Sequence, residues 1–346
     1  MLRYLTAGES HGRAIIAILE GMPAGIKLDL ARINSELKRR QQGAGRGRRM
    51  QIERDTVQVI SGVKGSVTLG SPITLFIANK DSSIERLPGV LSPRPGHADL
   101  AGLLKYGFTD IREVLERASA RSTVATVAIG AVCKIFLGAF RINLSSRAVS
   151  IGGEVSRKGI DERIAQGWHK NDTLGGIFEV TAEGVPAGLG SYVHPDRRLD
   201  GRLAAAIMSI PGVKAVEVGL GFGYADKFGS QVHDAIYYSR GTGYSRKKNN
   251  AGGIEGGVSN GQEIKLAACM KPISTLMNPL DSVNIKSKKS SRAAVERSDI
   301  CVVESAGVIA ESACAYVLSD CLLEKFGQDN LLDISKAYCA YLKRIK

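Results

Sequence analysis

The segment Glu20–Ile26, EGMPAGI, returns at Glu183–Leu189 as EGVPAGL. Each copy follows a β-rich stretch (Ala14–Leu19 and Ile177–Thr181) and precedes an amphipathic helical pattern (Leu30–Arg40 and Arg198–Ile210). A glycine-rich chain can echo itself by coincidence, but strand, tight Pro-Gly turn and helix recurring together predict two similar halves. Two further segments, Asp110–Leu137 and Val302–Lys325, read as helices with little polar face, which places them centrally. Alternating or β-rich runs at Gln51–Val63, Ile73–Ala78, Ile142–Ile151, Val213–Val218 and Gln262–Lys271 supply strands. The expected fold class is α+β: layered sheets, buried central helices and two pseudo-repeated halves. No Ser/Pro-rich linker divides the chain, so residues 1–346 are expected to form a single domain.

With 346 residues, 44% of them hydrophobic, the chain can bury a sizeable core, which excludes disorder and fibres. Lys and Arg number 47 against 34 acidic residues, a formal +13, so anionic partners are expected: phosphates, carboxylates, nucleic acid or acidic lipid. Glycine reaches 40 residues, above the roughly 7% average, with no collagen period. The N-terminus carries Glu9 and no apolar h-region, which reads as a cytoplasmic protein without a signal peptide. Apolar runs such as Thr123–Cys133 and Ala306–Ile309 are too short for a bilayer and are interrupted by Lys134 and Glu311, so no membrane is expected. The six cysteines show no C-x-x-C pair and read as reduced, buried thiols; no spacing suggests a metal.

Five places concentrate glycine with charged or polar residues. His11, in Gly8–Gly12, reads on residue types as a solvent-facing side chain in a turn, or as an imidazole where the backbone lets a ligand approach. Lys38–Arg49 is a mobile cationic loop able to wrap phosphate or carboxylate, or a solvated charge run; it lacks the aromatics of single-strand binders. Arg94–Asp99 sets His97 beside Arg94 in a Pro-Gly turn that suits protonation of a leaving phosphate as well as helix entry. Arg117 and Arg121 sit among small residues within or at a break in the first apolar helix, an arrangement that calls for an anion. The fifth place combines Asn249–Gly257, Met270–Thr275 and Arg297–Asp299, a Gly-rich stretch with a Lys and hydroxyls able to cradle a phosphate-bearing cofactor. It lacks the G-K-[ST] ending of a P-loop, and Gly219–Tyr224 misses the dinucleotide fingerprint. His169, His194 and His233 read as structural or surface residues.

GESHG at Gly8–Gly12, EGMPAG at Glu20–Gly25, RRQQGAGRGRRM at Arg39–Met50 and RPGHAD at Arg94–Asp99 are followed by ERASAR at Glu116–Arg121 and NNAGGIEGG at Asn249–Gly257. MKPIST at Met270–Thr275 and ERSD at Glu296–Asp299 complete the series. In this order the motifs resemble those of the chorismate synthase family across most of the chain. The resemblance implies a β-α-β sandwich, a homotetramer, and loss of phosphate and a ring proton from 5-enolpyruvylshikimate 3-phosphate to give chorismate. It also implies reduced FMN, used without net redox change. No reductase domain is visible, so the flavin is expected to be reduced by an external NAD(P)H-dependent flavin reductase. Arg40, Arg46, Arg49, Arg94 and Arg121 match the family's substrate-side arginines, Arg40 and Arg46 serving the cofactor as well. By motif, His97 protonates the leaving phosphate, His11 protonates or hydrogen-bonds the flavin, and Asp299 assists proton removal. Flavin contacts carried over by position are Arg117, Ala118, Ser119, Pro211, Gly212, Gly256, Lys271, Pro272, Ile273, Ser274, Thr275 and Arg297.

Departures from the family pattern are Ala44 for Tyr, Arg48 for Gly, Ala118 for Ser and Pro211-Gly212 for Asn-Ala, with Lys80–Ser92 shortened. A nucleic-acid-binding protein would account for the charge but not for two histidines in Gly-rich turns or for arginines in an apolar helix. A flavin-independent phosphate lyase or phosphatase would need a metal or a nucleophile that the sequence does not display.

Overall fold

A computed structural model describes residues 1–47, 54–241, 243–296 and 298–345. The first half runs β1 (Arg3–Ala7), β2 (Ala14–Glu20), α1 (Leu30–Gln41), β3 (Gln58–Ser61), the hairpin β4 (Val63–Lys64) and β5 (Val67–Thr68), and β6 (Ile73–Ala78). Helices α2 (Asp99–Tyr106), α3 (Arg112–Ala118) and α4 (Thr123–Gly138) follow. The second half runs β7 (Asn143–Ile151), α5 (Arg157–Lys170), β8 (Gly176–Glu183), α6 (Leu199–Met208) and β9 (Val213–Val218). After α7 (Gly229–Val232) come the hairpins β10 (Ile236–Ser239) with β11 (Gly243–Arg246) and β12 (Ile254–Glu255) with β13 (Val258–Ser259). The chain then forms β14 (Ile264–Met270), the hairpin β15 (Asp281–Val283) with β16 (Ser290–Arg292), and α8 (Val303–Phe326) and α9 (Leu331–Arg344).

The repeat is real and reaches further than its seven-residue signature. Each half carries a four-stranded antiparallel sheet, ordered β1-β2-β6-β3 and β7-β8-β14-β9. Gly25 and Gly188 close the two Pro-Ala-Gly turns at φ 93° and 97°, a region that a side chain would strain. Thr68 Oγ1 donates to the Pro23 carbonyl at 2.6 Å and accepts from the Ile26 N–H at 2.9 Å. Ser259 Oγ repeats both bonds, to the Pro186 carbonyl at 2.6 Å and from the Leu189 N–H at 2.8 Å. The hairpins G-V-K-G-S-V-T at Gly62–Thr68 and G-I-E-G-G-V-S at Gly253–Ser259 are therefore counterparts too.

Period-2 patterning decides which face of each sheet turns inward. Ile15, Ala17 and Leu19 stand opposite Ile77, Leu75 and Ile73, and all six are fully buried. Phe178, Val180 and Ala182 face Ala268, Leu266 and Ile264 in the same way. Between the sheets lie the two apolar helices, α4 on β2 and β6 and α8 on β7 and β8, crossing each other at close range. Gly130 permits that approach, because a methyl group there would overlap Cα and Cβ of Ser312. The result is an α+β sandwich whose main core runs from Leu2 to Tyr338, with a smaller cluster of Val90, Leu103, Ile111 and Val114 beside it. The helical stretches Arg112–Gly138 and Val303–Phe326 are long and apolar enough to cross a membrane, and both are mostly buried within the fold.

The polar interruptions of these helices meet inside. Glu311, fully buried on α8, accepts from Arg39 Nη1 and Nη2 at 2.9 and 2.7 Å, from Ser146 Oγ at 2.5 Å and from Lys134 Nζ. Burial alone would push its carboxyl up, but the Arg39 bonds and the Lys134 charge hold it below the ordinary range. Cys133, Cys301, Cys314 and Cys321 are buried free thiols, whereas Cys339 is exposed and Cys269 half-buried.

Two expectations need correction. Asp110–Leu137 is not one helix: it breaks at Ser119, whose backbone turns extended (φ −64°, ψ 142°) while its Oγ accepts the Arg121 N–H and caps a short 3₁₀ turn, Ala120–Ser122. The strand expected over Gln51–Val63 begins only at Gln58, residues 51–53 lying outside the described residues. Residues 55–57 bond to α1 instead of the sheet, the Asp55 N–H to Gln41 Oε1 at 3.2 Å and the Val57 N–H to Asn34 Oδ1 at 2.9 Å. Replacing Gly130 with Ala should lower unfolding free energy by about 1–3 kcal/mol, read by urea denaturation, because the overlap is with backbone that no rotamer relieves.

Candidate active site

Matching ends of the two halves converge on one cavity of about 1410 Å³. Arg40 at the C-terminal end of α1 faces it, as do Ile210, Pro211 and Gly212 just beyond the counterpart helix α6. Ala78 and Asn79 line it where β6 ends, Met270 and Lys271 where β14 ends. Thr123 opens α4, while Val302, Ser305 and Ala306 open α8, so two central helices direct the positive ends of their dipoles toward the same space. The segments joining β6 to α4 and β14 to α8 complete the wall with His97, Ser119 and Arg121 from one and Lys271–Thr275 and Asp299 from the other.

Cations dominate the wall, and Arg40, Arg46, Arg94 and Arg121 each have a carboxylate behind them. Arg40 Nη2 and Arg121 Nη1 donate to opposite oxygens of Asp55 at 2.8 and 2.6 Å, and Arg121 Nε reaches Asn79 Oδ1 at 2.9 Å. Two guanidinium groups share one carboxylate, which leaves a positive charge uncompensated. Arg40 Nε is buried without a hydrogen-bond partner among the described residues. Burial lowers the proton affinity of Arg40, Asp55 opposes this, and the nearby Arg121 and Arg46 charges lower it further. Arg46, also lowered by burial, pairs with Asp299 at 2.8 Å, whose other oxygen accepts the Gly47 N–H at 2.7 Å. Lys271 Nζ bonds Ser274 Oγ at 2.6 Å and the Gly96 carbonyl, and burial followed by the charge of Lys214 lowers its proton affinity.

Both candidate histidines hold a carboxylate at Nδ1. His97 Nδ1 lies 2.5 Å from Asp99 Oδ1. Asp99 is in turn gripped by Arg94 through Nε at 2.8 Å, Nη2 at 2.9 Å and the backbone N–H at 3.0 Å, while Arg94 Nη1 donates to Thr275 Oγ1 at 2.8 Å. Burial would raise the Asp99 carboxyl, but the Arg94 and His97 bonds outweigh it and hold it well below the usual carboxylate range. His11 Nδ1 lies 3.0 Å from both oxygens of Glu116. Ser119 Oγ donates to Ser10 Oγ at 3.2 Å, tying the helix break to the His11 turn.

Among the sequence candidates, His11, His97, Asp299, Arg40, Arg46, Arg94 and Arg121 line this cavity together, with Ala118, Ser119, Pro211, Gly212, Lys271, Pro272, Ile273, Ser274 and Thr275. Arg117 does not: it is exposed and turned to β1, bonding the Gly8 carbonyl at 2.8 Å and Thr6 Oγ1 at 2.9 Å. Gly256 does not either, since it sits exposed at the tip of the β12–β13 hairpin, the counterpart of Gly65. Arg49 and Arg297, with the departure at Arg48, lie outside the described residues. Sequence reading passed over Asp55, Asn79, Lys214 and Trp168, all of which line the cavity. Only the need to neutralise buried arginines could have drawn attention to Asp55.

The chorismate synthase family model matches residues 2–323. Its span over nearly the whole chain decides the assignment. The chain belongs to the chorismate synthase family. Curated chorismate synthases align end to end, among them that of Thermoanaerobacter pseudethanolicus at 51% identity, covering 100% of this chain and 99% of the relative. That of Moorella thermoacetica is 50% identical, covering 99% and 98%. That of Aquifex aeolicus is 48% identical, covering 100% and 98%, in an alignment of 391 positions against the 346 residues here, so it carries segments without counterpart in this chain. A solved structure titled "Crystal Structure of Chorismate Synthase" superposes with a TM-score of 0.83 at 41% identity, covering 100% of this chain and 98% of that one. Membership makes this chorismate synthase homologue a lyase of the shikimate route to aromatic compounds.

The depressed Asp99 carboxyl has a signed consequence for stability. The unfolded chain takes up this proton near the ordinary value of about 3.9, the folded one only at lower pH, so the contribution is complete above that value and is lost as pH falls below it. Asp99→Asn should therefore lose stability at neutral pH and flatten the acid limb, read as the thermal midpoint between roughly pH 7 and pH 3.

Proposed function

We propose that this cavity converts 5-enolpyruvylshikimate 3-phosphate to chorismate by 1,4-elimination of phosphate and a ring proton, with reduced FMN held beside the substrate. The observation that carries the reading is the shared Asp55: Arg40 and Arg121 hold one carboxylate between them, with Arg40 Nε unpartnered, in a wall that also contains His97 and Arg94. That arrangement suits a departing phosphate, because guanidinium forks bind its oxygens bidentately and preplaced charge stabilises the transition state. The cavity volume exceeds the roughly 300–1,000 Å³ of a pocket for one small ligand, which supports two ligands side by side.

Reduced FMN, when bound, would contribute transient electron donation without net redox change. The candidates to hold it are Ala118, Ser119, Pro211, Gly212 and Lys271 through Thr275, where Lys271 Nζ and the Ser274 hydroxyl suit an anionic group. Arg117 and Gly256 stand outside the cavity of the single chain and are not given a flavin contact here. His97 protonates the leaving phosphate, oriented through Nδ1 by Asp99. His11 offers a proton or hydrogen bond to the flavin side. Asp299 takes up the ring-derived proton, and its pairing with Arg46 ties the cationic loop to the start of α8. Exposed Leu5, Ile18 and Ile60 on the outer face of the first sheet support the homotetramer. Reducing equivalents come from an external NAD(P)H-dependent flavin reductase.

Purified protein assayed anaerobically with the substrate should form chorismate only when chemically reduced FMN is added. His97→Ala and Asp299→Ala should each lower kcat by about 10²–10⁴-fold with fold retained by circular dichroism. Chorismate formed without flavin, or both variants at wild-type rate, would reject the assignment.

A further inference from the structure

Glu116 is buried on α3, at 4% side-chain exposure, and among the described residues its carboxylate hydrogen-bonds only to His11. Its two carboxylate oxygens lie 3.0 Å from His11 Nδ1, Oε2 also accepts the His11 backbone N–H at 2.9 Å, and its carbonyl accepts the Ser10 N–H at 2.9 Å. The two residues are 105 positions apart, so no local turn imposes the pairing. On the far side Arg112 Nη1 stands 3.6 Å from Glu116 Oε1, with its Nη2 on Glu296 at 3.0 Å, so the carboxylate has a counter-charge behind it.

We infer that Glu116 is a positioning residue for His11, holding the imidazole in its Nδ1–H tautomer and leaving Nε2 as the nitrogen available to the cavity. A carboxylate only accepts, so a neutral ring bonded to it must carry its proton on Nδ1. Nε2 makes no hydrogen bond to a described residue, and His11 lines the cavity. His97 also meets a carboxylate at Nδ1, that of Asp99, but Arg94 Nη2 stands 3.4 Å from its Nε2, so His11 differs in having no described partner at that nitrogen. The kinetic part of this assignment rests on the reaction read above; the tautomer does not.

Nitrogen-15 NMR of the full-length protein, at a pH where imidazoles are neutral, should show the Nδ1–H pattern for His11 in the wild type. Glu116→Gln, whose amide can donate to Nδ1, should move His11 toward the Nε2–H pattern. The same variant should lower kcat by about 10–100-fold, the usual cost of losing such a supporting partner, with KM for the phosphate substrate within about twofold. In a His11→Ala background Glu116→Gln should cost less than about twofold more, because it acts through the ring. An Nε2–H ring in the wild type, or an equal loss in both backgrounds, would overturn the assignment, and the wild-type spectrum decides it even if the variant fails to fold. A wild type that makes no chorismate would instead overturn the proposed reaction and leave the tautomer result to stand by itself.

Discussion

Removing a guanidinium group from water without a counter-charge is among the most unfavourable events a fold can contain, and the site of this chain is arranged around avoiding it. Asp55 serves Arg40 and Arg121, Asp299 serves Arg46, Asp99 serves Arg94, and Glu116 faces Arg112. These carboxylates come from separate segments, so the pairings also fix how the loops lie over the helix ends. The cavity keeps positive potential because the pairing is incomplete: one carboxylate for two arginines, with Lys214 and Lys271 added to the same wall. That imbalance suits an anionic ligand, and stability limits how large it can grow.

Beneath the site the same rule governs the core. Arg39 points away from the cavity that Arg40 enters, and it reaches Glu311 and Glu36, which also hold Lys134. Neighbouring arginines on α1 therefore have different duties: one fastens the helix to α4 and α8, the other is presented to ligand. The close crossing at Gly130 and Ser312 brings α4 and α8 near enough for that cluster to be shared. Packing and electrostatics are coupled here, since a wider crossing would leave Glu311 with fewer donors.

Much of this was legible in the residues. Alternation placed Ile73–Ala78 and Val213–Val218 at their observed bounds, and the apolar run 302–325 gave a helix within a residue or so at each end. The Pro-Gly repeat announced the two halves because a turn at positive φ tolerates few residues other than glycine, and so remains readable. The hairpin counterparts at Gly62 and Gly253 escaped notice because their register depends on bonds to the distant Pro-Gly turn rather than on local composition. Asp55 was illegible for a similar reason: an acidic residue in an alternating segment looks like the outward face of a strand until the arginines it serves are known. A helix break at Arg117–Ser122 was legible only as an alternative, because small residues suit a helix as well as a capped restart, and nothing local singled out Ser119.

The two halves are built alike, yet they do not each enclose a ligand. Their β6–α4 and β14–α8 connections run to the same end and meet at the axis between the copies. An internal duplication of this geometry leaves the two halves sharing one cavity rather than lining one each. It also freed the two connections to diverge, one carrying His97, Arg94 and Arg121, the other the lysine and hydroxyls of Lys271–Thr275 together with Asp299. A symmetric frame thus carries an asymmetric division of labour, and neither copy could be restored to match the other without dismantling the site between them.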